Sequence, residues 1–201
     1  MMVKQLMGIA LAVALGMGGA WLAVRYTAVS PPAVTAIAAS DLPAGGDFTL
    51  QAVQGDVKLA DLRGKVVVVY FGYTACPDIC PTSMATLKGA LNQLTASELA
   101  QVQGLLISVD PERDTLAHVQ EYANYFHPNI RGVTGSPAVL QEVAQRYRAF
   151  YRKVPMAGSA MAYSIDHSAI LYVVDKQGKL RELVQHATPP AELAAAIRRY
   201  L

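Results

Sequence analysis

The strongest constraint on this chain is Lys65-Val66-Val67-Val68-Val69-Tyr70-Phe71-Gly72, a continuous apolar run rich in β-branched residues. Alternation of apolar and polar residues would mark a strand with one wet face. An unbroken run suits a strand covered on both faces, as in a parallel sheet between helices. Leu105-Leu106-Ile107-Ser108-Val109 and Ser168-Ala169-Ile170-Leu171-Tyr172-Val173-Val174 have the same character. Such segments point to an α/β plan with helices on the sheet faces.

The intervening sequence supplies those helices. One is expected from about Pro81 to Leu94. A second, Thr115 to Phe126, sets Leu116, Val119, Tyr122, Ala123 and Phe126 on one side, with Asp114 or Thr115 as its cap. A third runs from about Pro137 to Phe150 after Ser136, with proline in its first turn. The last, Pro190 to Tyr200, has Leu193, Ala194, Ile197 and Tyr200 as its inner face. A short strand is expected near Arg131-Gly132-Val133. Phe48 to Ala52 and Val57 to Leu59 read as a hairpin around Gln54-Gly55-Asp56. Lys176 to Lys179 turns the chain into Leu180 to Val184. The order is β-hairpin, β, α, β, α, β, α, β, β, α, which is a thioredoxin-like α/β fold with an N-terminal β-hairpin.

The N-terminus is of another kind. Leu6 to Val24 spans 19 residues without a charge. As an α-helix it would cover about 28 Å, close to the hydrocarbon thickness of a bilayer. Trp21 and Tyr26 sit near its outer end, where aromatic rings favour the interface. Residues 1–25 are therefore expected to form a single transmembrane anchor. A cleaved signal peptide, with Gly18 and Ala20 as its small residues, is the alternative. Either way the remainder leaves the cytoplasm, which places the soluble domain on the extracytoplasmic side of the plasma (inner) membrane. Residues 26–46, with Ser30-Pro31-Pro32, Pro43 and Gly45-Gly46, read as a flexible linker. The folded domain is then 47–201. With 17 Lys+Arg against 15 Asp+Glu, the formal charge of +2 leaves no electrostatic footprint for nucleic acid.

The chemistry concentrates where the most apolar strand gives way to the following helix, at Cys76-Pro77-Asp78-Ile79-Cys80-Pro81. Open α/β sheets place their sites at strand carboxyl ends. A helix N-terminus offers unpaired N–H groups and a positive dipole end, so at least one cysteine is expected to have a lowered pKa. Two thiolates four positions apart can close on one soft metal ion. His167, at the start of the third strong strand, enters the sheet beside the cysteine loop and offers a third donor. Two sulfurs and one nitrogen suit Cu(I) and leave room for Cu(II) with an added oxygen. A structural disulfide, a redox-active cysteine pair and a structural zinc site remain alternatives on these residues alone, although a closed zinc site needs four ligands. A thioredoxin-fold peroxidase is disfavoured, because Tyr73 stands where such enzymes carry threonine. His118, His127 and His186 are read as surface or structural residues.

Three segments in order resemble the Sco/SenC family: Tyr70 through Pro81, Val109-Asp110-Pro111-Glu112-Arg113-Asp114-Thr115, and Asp166-His167-Ser168 followed by an apolar strand and Asp175-Lys176-Gln177-Gly178. The resemblance implies a copper metallochaperone of cytochrome c oxidase assembly, not an enzyme, with Cys76, Cys80 and His167 as metal ligands. It implies as partners oxidase subunit II or a copper-donor protein, with passage of copper or of reducing equivalents to the binuclear copper centre. A membrane-anchored thiol–disulfide oxidoreductase, with Cys76 and Cys80 as its redox pair, and an assembly scaffold with a vestigial site are the alternatives. Asp110, Pro111 and Asp114 are expected to shape the neighbouring loop and cap the next helix, and Asp166 to orient the site.

Overall fold

The computed structural model describes residues 42–201. The expected transmembrane anchor and residues 26–41 of the linker lie outside them. Among the described residues no helix is long and apolar enough to cross a membrane.

The described residues begin with a hairpin, β1 (Thr49–Ala52) and β2 (Gly55–Lys58), and a 3-10 turn (Leu59–Leu62). Then follow β3 (Val66–Gly72), α1 (Ile79–Leu91), α2 (Ala96–Leu99), β4 (Val102–Ser108), α3 (Leu116–Phe126), β5 (Ile130–Val133), α4 (Pro137–Tyr147), β6 (Tyr151–Pro155), β7 (Tyr163–His167), β8 (Ile170–Val174), β9 (Leu180–Gln185) and α5 (Pro190–Arg198). The main sheet has the order β5-β4-β3-β8-β9. β3 pairs in parallel with β4 and antiparallel with β8, and β4 pairs in parallel with β5. Every residue of β3 and β4 is buried. β3 is an unbroken apolar run, whereas β4 starts three residues before the expected Leu105 and buries Gln103, whose amide donates to the Asn129 carbonyl at 2.8 Å.

Side chains of β3 alternate between two cores. Phe71 packs edge-on against Tyr172 of β8, with ring centroids 5.5 Å apart, and against Tyr147 of α4 at 5.9 Å. Tyr70 and Gly72 face the other way, toward α1 and Cys80. On that side α1 packs against α5, and Gly89 permits the approach, because a Cβ there would lie 2.9 Å from Pro190. The sheet thus holds its buried apolar face against α1 and aims the carboxyl end of β3 at that helix's first turn.

Thr115 caps α3 by accepting from the His118 N–H at 3.2 Å, and Ser136 caps α4 in the same way from Val139. α4 stops at Tyr147, three residues short of the expected Phe150, where Arg148 turns left-handed at φ 49°.

The largest departure from the sequence reading is a separate two-stranded sheet, β6–β7, with Tyr151 opposite His167 and Pro155 opposite Tyr163. Of these two strands only Ile165 is buried, so the segment carries no alternating apolar signal. His167 consequently ends β7, and the strand expected from Ser168 starts at Ile170.

Candidate metal centre

The Tyr73–Asp78 loop joins β3 to α1. Its first half is fixed by a buried carboxylate: Asp114 accepts from the Thr74 N–H at 3.0 Å and the Thr74 hydroxyl at 2.5 Å. Asp114 also accepts from Ser108 Oγ at 2.6 Å. It therefore holds the cysteine loop, while Thr115 alone supplies the helix cap. In the second half, the Cys80 N–H in the first turn of α1 donates to Cys76 Sγ at 3.4 Å. Cys76 is half-buried, and Cys80 is fully buried beneath it. Gly72 makes room for that sulfur, since a Cβ there would sit 2.9 Å from Cys80 Sγ and 2.8 Å from the Tyr70 ring.

His167 arrives from the far end of β7. Its Nε2 lies 3.2 Å from Cys80 Sγ and 3.9 Å from Cys76 Sγ. The rings of Tyr70 and Tyr73 stand nearly perpendicular to the imidazole, with centroids 6.0 and 5.7 Å away. Nδ1 lies 3.2 Å from the Ser168 carbonyl. When Nδ1 donates to that carbonyl, Nε2 presents its lone pair toward the sulfurs, as a metal ligand must.

The two cysteines differ in protonation. The Cys80 thiol donates to Cys76 and lowers that sulfur to about 3. Burial opposes this, while His167 and the backbone N–H groups of Cys80 and Asp78 support it. Cys80 is pushed strongly upward, first by the same bond and then by burial. The pair thus holds one shared proton, with the charge on the more exposed sulfur. A lowered cysteine was expected from the helix N-terminus; the neighbouring thiol is the larger cause.

The ligand atoms of Cys76, Cys80 and His167 all lie within 4.8 Å of one another, the spacing of a group that could hold one ion. With metal–ligand lengths like those of zinc, about 2.3 Å to sulfur and 2.0 Å to nitrogen, a trigonal ion would keep sulfur and nitrogen about 3.7 Å apart. The observed 3.2 and 3.9 Å bracket that figure. Soft sulfur donors with one imidazole fit copper.

Other sequence-singled residues fall elsewhere. Asp166 does not orient the site: it points to the outer face of the hairpin and pairs with Arg152 at 3.0 Å, with just over half of its side chain exposed. Strand alternation forces this, because its neighbour His167 faces inward. His118 is exposed, and His127 Nδ1 accepts from the Asn129 N–H at 3.0 Å. His186 Nδ1 lies 3.2 Å from Ser83 Oγ on α1. Sequence reasoning missed the aromatic walls, Tyr70 and Tyr73, and Arg113. Arg113 stacks 3.8 Å above the Tyr163 ring and donates to Asp110 at 2.5 Å. The quoted motifs contained all three, but sequence spacing carries no sign of ring orientation.

The SCO1/SenC family profile matches residues 38–201. The chain belongs to that family. It is 37% identical over 190 residues to the bovine mitochondrial SCO2 homolog, a match covering 92% of this chain and 71% of that protein. Two solved Sco structures share the fold with a TM-score of 0.70. Bradyrhizobium japonicum ScoI with copper bound is 38% identical and covers 79% of this chain and 99% of its own. Yeast Sco1 with copper bound is 31% identical and covers 79% and 88%. The described domain is thus a thioredoxin-like Sco fold whose Cys–Cys–His group fits a copper site.

Proposed function

We propose that the chain is a copper metallochaperone. It holds one copper ion on Cys76 Sγ, Cys80 Sγ and His167 Nε2 and delivers it toward the binuclear copper centre of cytochrome c oxidase, the assembly in which Sco proteins act. Residues 1–25 anchor it in the membrane and the linker after them tethers the domain on the extracytoplasmic side. The last residues of the expected 26–46 linker belong to the domain instead, since Pro43 and Gly45 are buried and the Gly45 N–H donates to the Arg146 carbonyl at 3.0 Å. The observation that carries the reading is the convergence of three donors, with His167 Nε2 3.2 Å from Cys80 Sγ and 3.9 Å from Cys76 Sγ although 87 and 91 residues separate them in sequence.

Copper is the cargo, so the protein's task is to hold it firmly and let it go. Cys76 and His167 are both half-buried, while Cys80 lies fully buried behind them. An incoming thiolate of an acceptor can approach from the Cys76 side without dismantling a closed four-ligand shell. Loading requires the shared proton to leave, and both sulfurs must be reduced, so a Cys76–Cys80 disulfide abolishes binding.

One observation supports a second reading, a thiol–disulfide oxidoreductase. A half-exposed thiolate next to a buried thiol is the pairing of an attacking and a resolving cysteine. Cys76 would attack a target disulfide to give a mixed disulfide. Cys80 would then close on Cys76, sending two electrons to the target. His167→Ala separates the readings. The copper reading expects copper retention to collapse while dithiol exchange persists. Unchanged copper retention contradicts it.

A further inference from the structure

The element that carries His167 has little of its own to hold it in place. A two-stranded hairpin alone is marginally stable in water, and β6–β7 buries one side chain, Ile165. It is not part of the main sheet. Its base is pinned where Phe150 and Ser168 exchange bonds, Phe150 N–H to Ser168 Oγ at 2.8 Å and Ser168 N–H to the Phe150 carbonyl at 2.9 Å. The rest of its attachment runs through Tyr73 and through polar groups of the 110–114 segment.

Arg113 is the centre of that attachment. Its Nη1 donates to the Tyr163 carbonyl at 2.9 Å and the Met161 carbonyl at 3.3 Å, both on the returning side of the hairpin. Its Nε donates to the fully buried Asp110 at 2.5 Å. Its guanidinium lies between two rings, 3.8 Å from Tyr163 on the hairpin and 5.6 Å from Tyr73 on the cysteine loop. Asp110 closes the arrangement by accepting from the Tyr163 hydroxyl at 2.7 Å. Tyr73 in turn accepts from the Ile165 N–H at 3.3 Å and packs on the His167 ring. The same short segment grips the cysteine loop through Asp114 and Thr74. The guanidinium therefore joins the hairpin that carries the imidazole to the segment that holds the cysteine loop, beside a Lys153–Glu112 ion pair at 2.5 Å across the same seam.

We infer that Arg113 is the positioning residue of the metal centre: by clamping the β6–β7 hairpin against the Asp110 loop and Tyr73, it holds His167 within reach of both sulfurs. A lysine cannot replace it, because a point charge cannot satisfy two carbonyls, a carboxylate and a ring face at once. With the clamp weakened, the hairpin samples positions in which His167 is withdrawn. Apparent metal affinity then falls in proportion to the competent fraction.

The test compares full-length wild type, Arg113→Lys and Arg152→Ala, a change on the hairpin's outer face. Two readouts are used: Cu(I) affinity by competition with a chromophoric chelator, and the His167 imidazole resonances of the metal-free reduced protein. The affinity readout rests on the copper reading proposed above; the resonances do not. Arg113→Lys is expected to weaken Cu(I) binding about tenfold or more and to shift or broaden the His167 signals toward those of a free imidazole. Arg152→Ala should match wild type in both. Wild-type affinity together with wild-type His167 signals in Arg113→Lys overturns the inference, as does an equal loss in Arg152→Ala. If wild type itself binds no copper, the copper reading fails, and the imidazole signals still decide the role of Arg113. Should Arg113→Lys not fold, Tyr163→Leu removes the stacking platform and the hydroxyl bond to Asp110. The same losses are then expected, and their absence overturns the inference.

Discussion

Replacing Asp114 with Ala should destabilise the domain by about 3–4 kcal/mol and loosen the cysteine loop. The side chain is 2% exposed. Its two oxygens accept three hydrogen bonds, from the Thr74 N–H, the Thr74 hydroxyl and the Ser108 hydroxyl. Bonds to a charged group are worth roughly 1.5–3 kcal/mol each, but the two hydroxyls can rotate to other partners and recover part of that. The Thr74 N–H cannot rotate and is left unpaired in a closed space, at a cost of about 1–3 kcal/mol. Asp114→Asn keeps the shape and one acceptor oxygen for that N–H, so its cost should be about 1–2 kcal/mol. Urea unfolding of the reduced, metal-free protein measures both. With a slope near 2 kcal/mol/M, Asp114→Ala lowers the midpoint by about 1.5–2 M, and Asp114→Asn by about 0.5–1 M. An alanine cost under about 1 kcal/mol, or equal costs for the two variants, would refute the argument that this carboxylate anchors the loop.

Three further outcomes follow from the same geometry. Cys76 is held as a thiolate above about 3, so alkylation of the reduced protein by iodoacetamide should be nearly flat from pH 5 to 8, whereas an ordinary thiol with pKa of about 8.5 reacts roughly tenfold faster per pH unit over that range; a steep profile contradicts the shared-proton description. His127 is lowered, by burial first and then by Lys88; the unfolded chain takes up that proton first, so stability should fall as pH drops below about 6.5, and His127→Asn should flatten this slope in urea titrations. Gly72→Ala inserts a methyl 2.9 Å from Cys80 Sγ; it should cost about 1–3 kcal/mol by overpacking and weaken copper binding with it, and a variant as stable and as tight as wild type would show the contact to be soft.

Much of this architecture was legible before any coordinates. The apolar runs Lys65–Gly72 and Leu105–Val109 announce buried strands, and the structure buries every residue of the strands it forms there, β3 and β4. The approach of His167 to Cys76 and Cys80 followed from entry to a strand neighbouring β3, which β8 is. The β6–β7 hairpin was not legible. Its strands are mostly exposed and are held by Arg113, Asp110 and Tyr73 rather than by an apolar stripe, so periodicity had nothing to register. The same blindness misassigned Asp166, since placing His167 on the last position of a strand sends its neighbour to the opposite face. Asp110 and Asp114 illustrate a third case. Both were expected to shape the loop, but the partner of each, Tyr163 and Thr74, lies 53 and 40 residues away, and local spacing does not specify such pairings.

The most direct test of the metal centre is a count of copper on the reduced protein, by elemental analysis with X-ray absorption, in wild type and His167→Ala. The account predicts one copper per chain in wild type, bound by two sulfurs and one nitrogen, and loss of the nitrogen and most of the copper in the variant. Wild-type copper coordinated by sulfur alone, or a variant that retains a full equivalent, would contradict it.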